Sequence, residues 1–312
     1  MTTALVTHDA ATRHLNPDGH PEQVARIVHV LKALEGREVT RVSAPLAAED
    51  DLLRVHPRGY LEALRRAGPD EGWTQIDGDT FMSPGTLEAA TRAVGGAVRA
   101  VDMVMAGEAV NAFVAMRPPG HHAERETAMG FCYFGTVAVA AKHALDHHGL
   151  SRVAVVDFDV HHGNGTQDLL EDDARVFFAS SHQSPLFPGT GAAHDTGPHG
   201  TVMNVPLRAG TGSAEFRRVW EREILPAVRA HRPELVLVSA GFDAHRADPL
   251  ASLDLTEADF EWVTAAICAL AAEVCGGRVV SSLEGGYDLD ALGRSAAAHV
   301  DSLIEAAKRV VT

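Results

Sequence analysis

The sequence predicts an α/β fold: a three-layer α/β/α arrangement around a mainly parallel sheet, with residues 1–312 forming one domain. Three observations predict it. At least six strand-like runs are each followed by a helical pattern, the alternation that builds parallel sheets from crossover units. Runs such as 153–156 and 235–238 are apolar throughout, as strands covered on both faces are. No repeat, low-complexity linker or composition break divides the chain.

Taken in order, residues 3–7 read as a short first strand and 8–20 as a polar loop with Asn16-Pro17 and Gly19. A helix opens at His20-Pro21-Glu22, proline suiting a first turn, and ends at Gly36. Its apolar stripe is Val24, Ile27, Val28, Leu31 and Leu34; Arg26, judged from this segment alone, is an ordinary exposed charge. Strand 39–42 and helices 49–55 and 57–67 follow. The stretch 68–85, rich in Gly, Pro, Asp and Thr, is a long loop carrying Asp77 and Asp79. Helix 84–105 is rich in alanine and carries Gly95-Gly96, which suits close packing.

Strand 110–115 runs into Arg117-Pro118-Pro119-Gly120-His121-His122. The doubled proline stiffens the backbone and presents two adjacent imidazoles at a strand end, a placement suited to general acid–base work. Phe131, just after Gly130, walls a pocket or packs in the core; helix 137–147 comes next.

The stretch from Val153 to Thr166 concentrates the chemistry. Its strand ends in Asp157, Asp159, His161 and His162, before Gly163, Asn164 and Gly165 turn the chain towards helix 166–170. Alternation along a strand would set Asp157, Asp159 and His161 on one face, at the carboxyl edge where open α/β sheets bind ligands. Carboxylates held together repel unless a cation lies between them, so the set reads as metal-binding rather than as a salt-bridged strand end.

Strand 175–180, a second long loop at 181–200 with Phe187-Pro188-Gly189, strand 202–206 and a helix near 213–230 follow. The run from Leu235 to Asp243 repeats the apolar-strand-then-carboxylate design, making Asp243 a third ligand candidate, with Leu250 in the loop beyond. After helix 257–274, strand 278–283 ends in Glu284-Gly285-Gly286-Tyr287, where the glycines let Tyr287 fold back over the sheet edge. Helix 289–310 closes the order.

A formal charge of −15 argues against nucleic acid as a partner. It either attracts cationic peptides and polyamines or simply favours solubility. No apolar run approaches the length needed to span a bilayer, and the first residues lack the pattern of a secretory signal. Three widely spaced cysteines suit a reducing compartment, so a cytoplasmic protein is expected.

With these residues in hand, the chain resembles the histone deacetylase and acetylpolyamine amidohydrolase superfamily. The matches, in the family's order, are Arg117-Pro-Pro-Gly-His-His-Ala, Gly130-Phe-Cys-Tyr-Phe, Asp157-Phe-Asp-Val-His-His-Gly-Asn-Gly-Thr, Phe187-Pro-Gly-Thr-Gly, Ser239-Ala-Gly-Phe-Asp-Ala-His and Leu283-Glu-Gly-Gly-Tyr. Asn164 and the Leu-Glu-Gly-Gly-Tyr ending resemble the class II branch and its bacterial relatives. Gly135 and Val24 depart from the usual asparagine and proline, but neither is a ligand.

The resemblance implies an arginase-like fold and a zinc-dependent deacetylase, with Fe2+ as the other metal option. Asp159, His161 and Asp243 would hold the metal. His121 and His122 would be the tandem histidines, supported by Asp157 and Asn164, with His122 the general base acting on the attacking water. Tyr287 would polarise the substrate carbonyl. Phe131, Phe187 and Gly130 would line the acyl-lysine channel, Leu250 and Asp79 its rim, and Arg26 its floor. A structural K+ would use Asp157, Asp159, His161 and Ser180. The implied substrates are acetylated lysine peptides or proteins, or acetylpolyamines; a homo-oligomer is one option, and no membrane partner is expected.

Two rivals are weighed. A dimanganese ureohydrolase shares the implied fold, but the first site offers His121, His122 and Asn164 where further carboxylates would be needed. A non-catalytic acyl-lysine binder would be expected to lack the base or the phenol, and both are present.

Overall fold

The computed structural model describes residues 2–310. At its centre lies an eight-stranded sheet in which every pairing is parallel, in the order β2-β1-β5-β10-β9-β6-β7-β8. Its strands are β1 (Thr3–Thr7), β2 (Val39–Ser43), β5 (Asn111–Val114), β6 (Val153–Asp157), β7 (Val176–Gln183), β8 (Val202–Leu207), β9 (Leu235–Ala240) and β10 (Val279–Leu283). The inner strands are buried along their whole length, which is why β6 and β9 read as apolar runs over 153–156 and 235–238. Two short strands, β3 (Thr74–Gln75) and β4 (Phe81–Met82), pair antiparallel inside the stretch that reads as a plain loop in the sequence.

Helices cover both faces. On one, α4 (Thr86–Met105) packs on β1, β5 and β10, and α5 (Thr136–Asp146) on β6 and β9. On the other, α10 (Leu289–Val310) sits between α1 (Val24–Ala33) and α9 (Glu257–Cys275) and covers β1 and β5. Gly95 and Gly96 lie where α4 meets the sheet's first strands, and a Cβ on Gly95 would strike the Leu46 backbone. Helix α2 (Glu49–Leu52) packs on α5, and α3 (Arg58–Ala67) follows it. The segment after β8 is one continuous helical run, α7 (Ser213–Val219) and α8 (Leu225–His231) joined by a π turn at Trp220–Ile224.

Of the boundaries that differ from the sequence reading, three have a clear local reason. Helix α1 begins at Val24, not at Pro21, because the His20 ring accepts the Glu22 N–H and the Glu22 carboxylate is drawn into a buried ion-pair network. Strand β7 continues to Gln183, since β8 pairs with it through that residue. Strand β6 stops at Asp157, so Asp159 and His161 lie in the turn that follows and not on the pleat.

Candidate active site

The carboxyl ends of β5, β6, β9 and β10, the four central strands, converge on one cluster. Asp159, His161 and Asp243 each offer a ligand atom within 4.8 Å of the others, and all three are buried. His161 Nδ1 lies 3.1 Å from Asp159 Oδ1 and 3.2 Å from Asp243 Oδ2. The carboxylates are aimed by main-chain donors: His161 N and Gly285 N to Asp159, Val160 N to Asp243. Strand alternation does not bring them together; these turn hydrogen bonds do. Asp157 faces elsewhere, accepting from the Asp159 N–H and meeting His121.

The electrostatics mark a cation's place. Burial, reinforced by Asp159, pushes the Asp243 carboxyl up to about 7. Burial alone would lower His161, but hydrogen bonds to Asp159 and Asp243 outweigh it and lift the imidazole to about 10. Two buried carboxylates and an imidazole suit a divalent ion of borderline softness. The cradle is close-fitting: a Cβ on Gly285 would fall 2.6 Å from Asp159 Oδ2 and 2.7 Å from Asp243 Cγ.

Beside this cluster the tandem histidines take opposite characters. His122 Nδ1 donates to Asn164 Oδ1 at 2.7 Å, an assignment fixed because the Asn164 amide nitrogen donates to Glu124 at 2.7 Å. Nε2 of His122 is thereby left as the basic nitrogen. Burial, with His121 and His161 adjacent, holds His122 well below the ordinary histidine range. His121 pairs through Nδ1 with Asp157 Oδ2 at 3.0 Å. There burial alone would lower the imidazole, but Asp159 and Asp157 outweigh it and lift it to about 10. Neighbouring groups driven apart in this way are the pattern of an acid and a base. A cation beside Asp159 would weaken that carboxylate's pull on His121.

Tyr287 is 9 % exposed, and its ring lies edge-on to Phe131, with centroids 5.8 Å apart. Behind it lies Arg26, fully buried, whose guanidinium carbon is 4.8 Å from the Tyr287 ring centroid. Arg26 donates to the Gly286 and Glu284 carbonyls at 2.6 and 2.5 Å. It is therefore neither the exposed charge that its helix alone suggests nor part of the cavity wall: it sets the turn that carries Tyr287. Its charge is met by Glu22, whose carboxylate also takes a two-pronged contact of 2.6 Å per arm from Arg117.

A cavity of about 420 Å³ opens over this floor, lined by Asp79, His122, Gly130, Phe131, His161, Phe187, Leu250 and Tyr287, with His20, Pro21, Gly78, Phe81 and Leu186 completing the wall. Gly130 and Phe131 both have positive φ, 55° and 69°, and a Cβ on Gly130 would press on the His122 ring. Phe131 bears that backbone because its N–H is held by Thr80 Oγ1 at 3.0 Å. Phe187 is 40 % exposed at the mouth, edge-on to His122. Ser180 lies outside the cavity; it pairs in register with Asp157, and its hydroxyl meets His182.

Sequence reasoning passed over Glu22, Arg117, Glu284 and Asp248. The Glu284 carboxylate accepts the Gly120 and His121 N–H groups at 2.7 and 3.2 Å, and burial pushes it up to about 7. Asp248 accepts the Tyr287 N–H at 2.7 Å. Glu284 and Arg117 stand inside the motifs already quoted, which was the available signal; Asp248 had none.

The chain is similar to known proteins along most of its length. Residues 20–303 match the family pattern described as the histone deacetylase domain. Histone deacetylase 10, chloroplastic, from Oryza sativa subsp. japonica is 42 % identical over 305 residues, covering 90 % of this chain and 69 % of that protein. The histone deacetylase-like amidohydrolase of Pseudomonas aeruginosa is 45 % identical over 249 residues, covering 78 % and 65 %. Among solved structures, the HD domain of HDA15 superposes with a TM-score of 0.92 at 32 % identity, covering 97 % of this chain and 90 % of that one.

Proposed function

Because this chain belongs to the histone deacetylase family, and is on that ground a hydrolytic deacetylase, we propose that it cleaves the amide of N-acetyl-lysine in peptides or proteins, using zinc held by Asp159, His161 and Asp243. The observation that carries this reading is that one member of that buried trio, His161, lines the same cavity as His122 and Tyr287. The bound ion supplies a Lewis acid for the carbonyl and lowers the pKa of a water.

The rest of the chemistry belongs to the protein's own groups. His122, its Nδ1–H tied to Asn164, takes the water's proton on Nε2. Tyr287 donates its hydroxyl to the oxygen on which charge develops. His121, hydrogen-bonded to Asp157, is placed beside His122 to steady that charge, with ring centroids 3.9 Å apart. The proton gained by His122 leaves with the amine. Phe131 and Phe187 flank the entry, suited to the methylenes of a lysine side chain, while Asp79 and Leu250 sit at its edge. A K+ near Asp157 and Ser180 belongs to the same proposal, as does a reducing compartment such as the cytoplasm. The three cysteines are free and buried, and among the described residues no helix is long and apolar enough to cross a membrane.

Acetylpolyamines are the competing substrate class, favoured by the formal charge of −15. Protein loaded with zinc or with Fe2+ is assayed on acetyl-lysine peptides, acetylputrescine and acetylspermidine. Higher kcat/KM on the peptides supports the proposal; the reverse order reassigns the substrate. Failure of every acetylated amine with both metals overturns it.

A further inference from the structure

A second group of metal-binding side chains lies away from the cavity. Asp102 of α4, His143 of α5, and His147 and His148 just past the end of α5 each place one ligand atom within 4.8 Å of the others. Two imidazoles converge on a single carboxylate oxygen: His143 Nε2 is 2.7 Å and His148 Nε2 2.8 Å from Asp102 Oδ1. The His147 ring stacks on His143 at 4.7 Å with 15° between planes. His143 and His147 are four residues apart, so one turn of helix sets both on one side.

His143 supplies the independent pointer to an ion. It is 5 % exposed, and its Nδ1 is buried without a hydrogen-bond partner. That nitrogen faces Asp51 Oδ1 at 3.6 Å, a carboxylate steadied by Arg54. A neutral His143 whose Nε2–H points at Asp102 must turn a bare Nδ1 lone pair towards the Asp51 anion. A doubly protonated ring would meet both carboxylates with N–H groups. A cation among the ligands removes the conflict as well, with Nε2 giving its lone pair to the ion and Nδ1–H facing Asp51. Histidines that ligate metals are ordinarily oriented by a carboxylate on the other ring nitrogen in this way.

We propose that Asp102, His143, His147 and His148 form a second metal site, taking a first-row divalent cation and zinc in the first instance. Three nitrogens and one oxygen make a four-donor set of the tetrahedral kind. The negative end of α5 adds to the attraction for a cation. The site is remote from the cavity. Strand β6 begins five residues after His148 and ends at the catalytic edge, so its five residues put roughly 15 Å between the two. An ion there clips α5 to α4, on the side of the sheet they cover, and leaves hydrolysis untouched.

The test uses full-length protein without a histidine tag, stripped with chelator, reloaded with zinc and passed over a column containing a competitor of micromolar affinity. Metal content is then read by mass spectrometry on wild type, on a His147→Ala/His148→Ala variant and on Asp243→Ala. The double variant is expected to retain one equivalent fewer than wild type, to keep full deacetylase activity, and to lose part of the zinc-induced rise in melting temperature. Asp243→Ala loses the other equivalent together with activity. Should the cavity hold no ion, wild type retains one equivalent and the double variant none, which still supports this site. Equal zinc content and an equal melting response in wild type and the double variant overturn it.

Discussion

Replacing Gly285 by alanine tests the cavity floor most sharply. The glycine follows β10, donates its N–H to Asp159 Oδ2 at 2.8 Å, and turns its Cα towards both carboxylates. The added methyl would fall 2.6 Å from Asp159 Oδ2 and 2.7 Å from Asp243 Cγ, where real Cβ atoms essentially never come within 3.0 Å. Neither carboxylate can swing aside freely, because each also accepts from a main-chain donor and both are fully buried. Relief must therefore displace a ligand oxygen by about half an ångström or more. Misplacement approaching an ångström costs on the order of 100-fold in rate, and overpacking a filled site costs roughly 1–3 kcal/mol of stability. The assay pairs zinc content with kcat/KM on an acetyl-lysine peptide, and a thermal melt verifies folding. Gly59→Ala is the control: open space surrounds that position on α3, and the change should leave both readouts alone while adding about 0.5 kcal/mol. A folded Gly285→Ala protein with full zinc and wild-type kcat/KM would refute the close-fitting cradle.

Three further expectations follow from other parts of the structure. Tyr287→Phe keeps the ring against Arg26 and Phe131, so zinc content and melting temperature should hold while kcat/KM drops on the order of 100-fold or more; turnover near wild type would remove the phenol from the reaction. Glu22→Gln strips the charge facing two buried guanidinium groups, and breaking a buried pair costs about 3–5 kcal/mol, read by denaturant melts. A change below 1 kcal/mol would show the network to be replaceable. His299, fully enclosed between Thr264 and Ser281, is pushed down to about 3 by burial. Its folded form binds a proton later than the unfolded chain does, so it contributes stability above the unfolded pKa, lost as pH falls from 6.5 towards 3. Between pH 7 and 5 the loss is about 2 kcal/mol, and His299→Gln should flatten the pH dependence of unfolding by that amount; an unchanged slope would contradict it.

The strands and large helices were legible in the sequence because both-face burial leaves an unmistakable apolar run, as at β6 and β9. The cluster Asp159, His161 and Asp243 was legible as residue types at a strand edge. Its assembly was not, since turn hydrogen bonds rather than strand alternation aim the side chains. Arg26 shows the limit most clearly: its helix alone gives it an exposed charge, but its partners Glu284 and Gly286 lie about 260 residues onward. The hairpin within 68–85 left no periodic trace because its strands have two residues each. His147-His148 is visible as a doublet, yet its meaning depends on Asp102, which only the packing of α5 on α4 brings near.

The sheet order has a bearing on how the molecule comes to exist. Its last-made strand, β10, lies in the middle, joining β2-β1-β5 to β9-β6-β7-β8. Until that keystone arrives during synthesis, each half presents an open flank with unpaired main-chain groups, and the phenol at Tyr287 has yet to be made. Any fragment halted upstream of Val279 is expected to be inert and prone to self-association. Competence is thereby tied to synthesis of the chain through β10 and Tyr287.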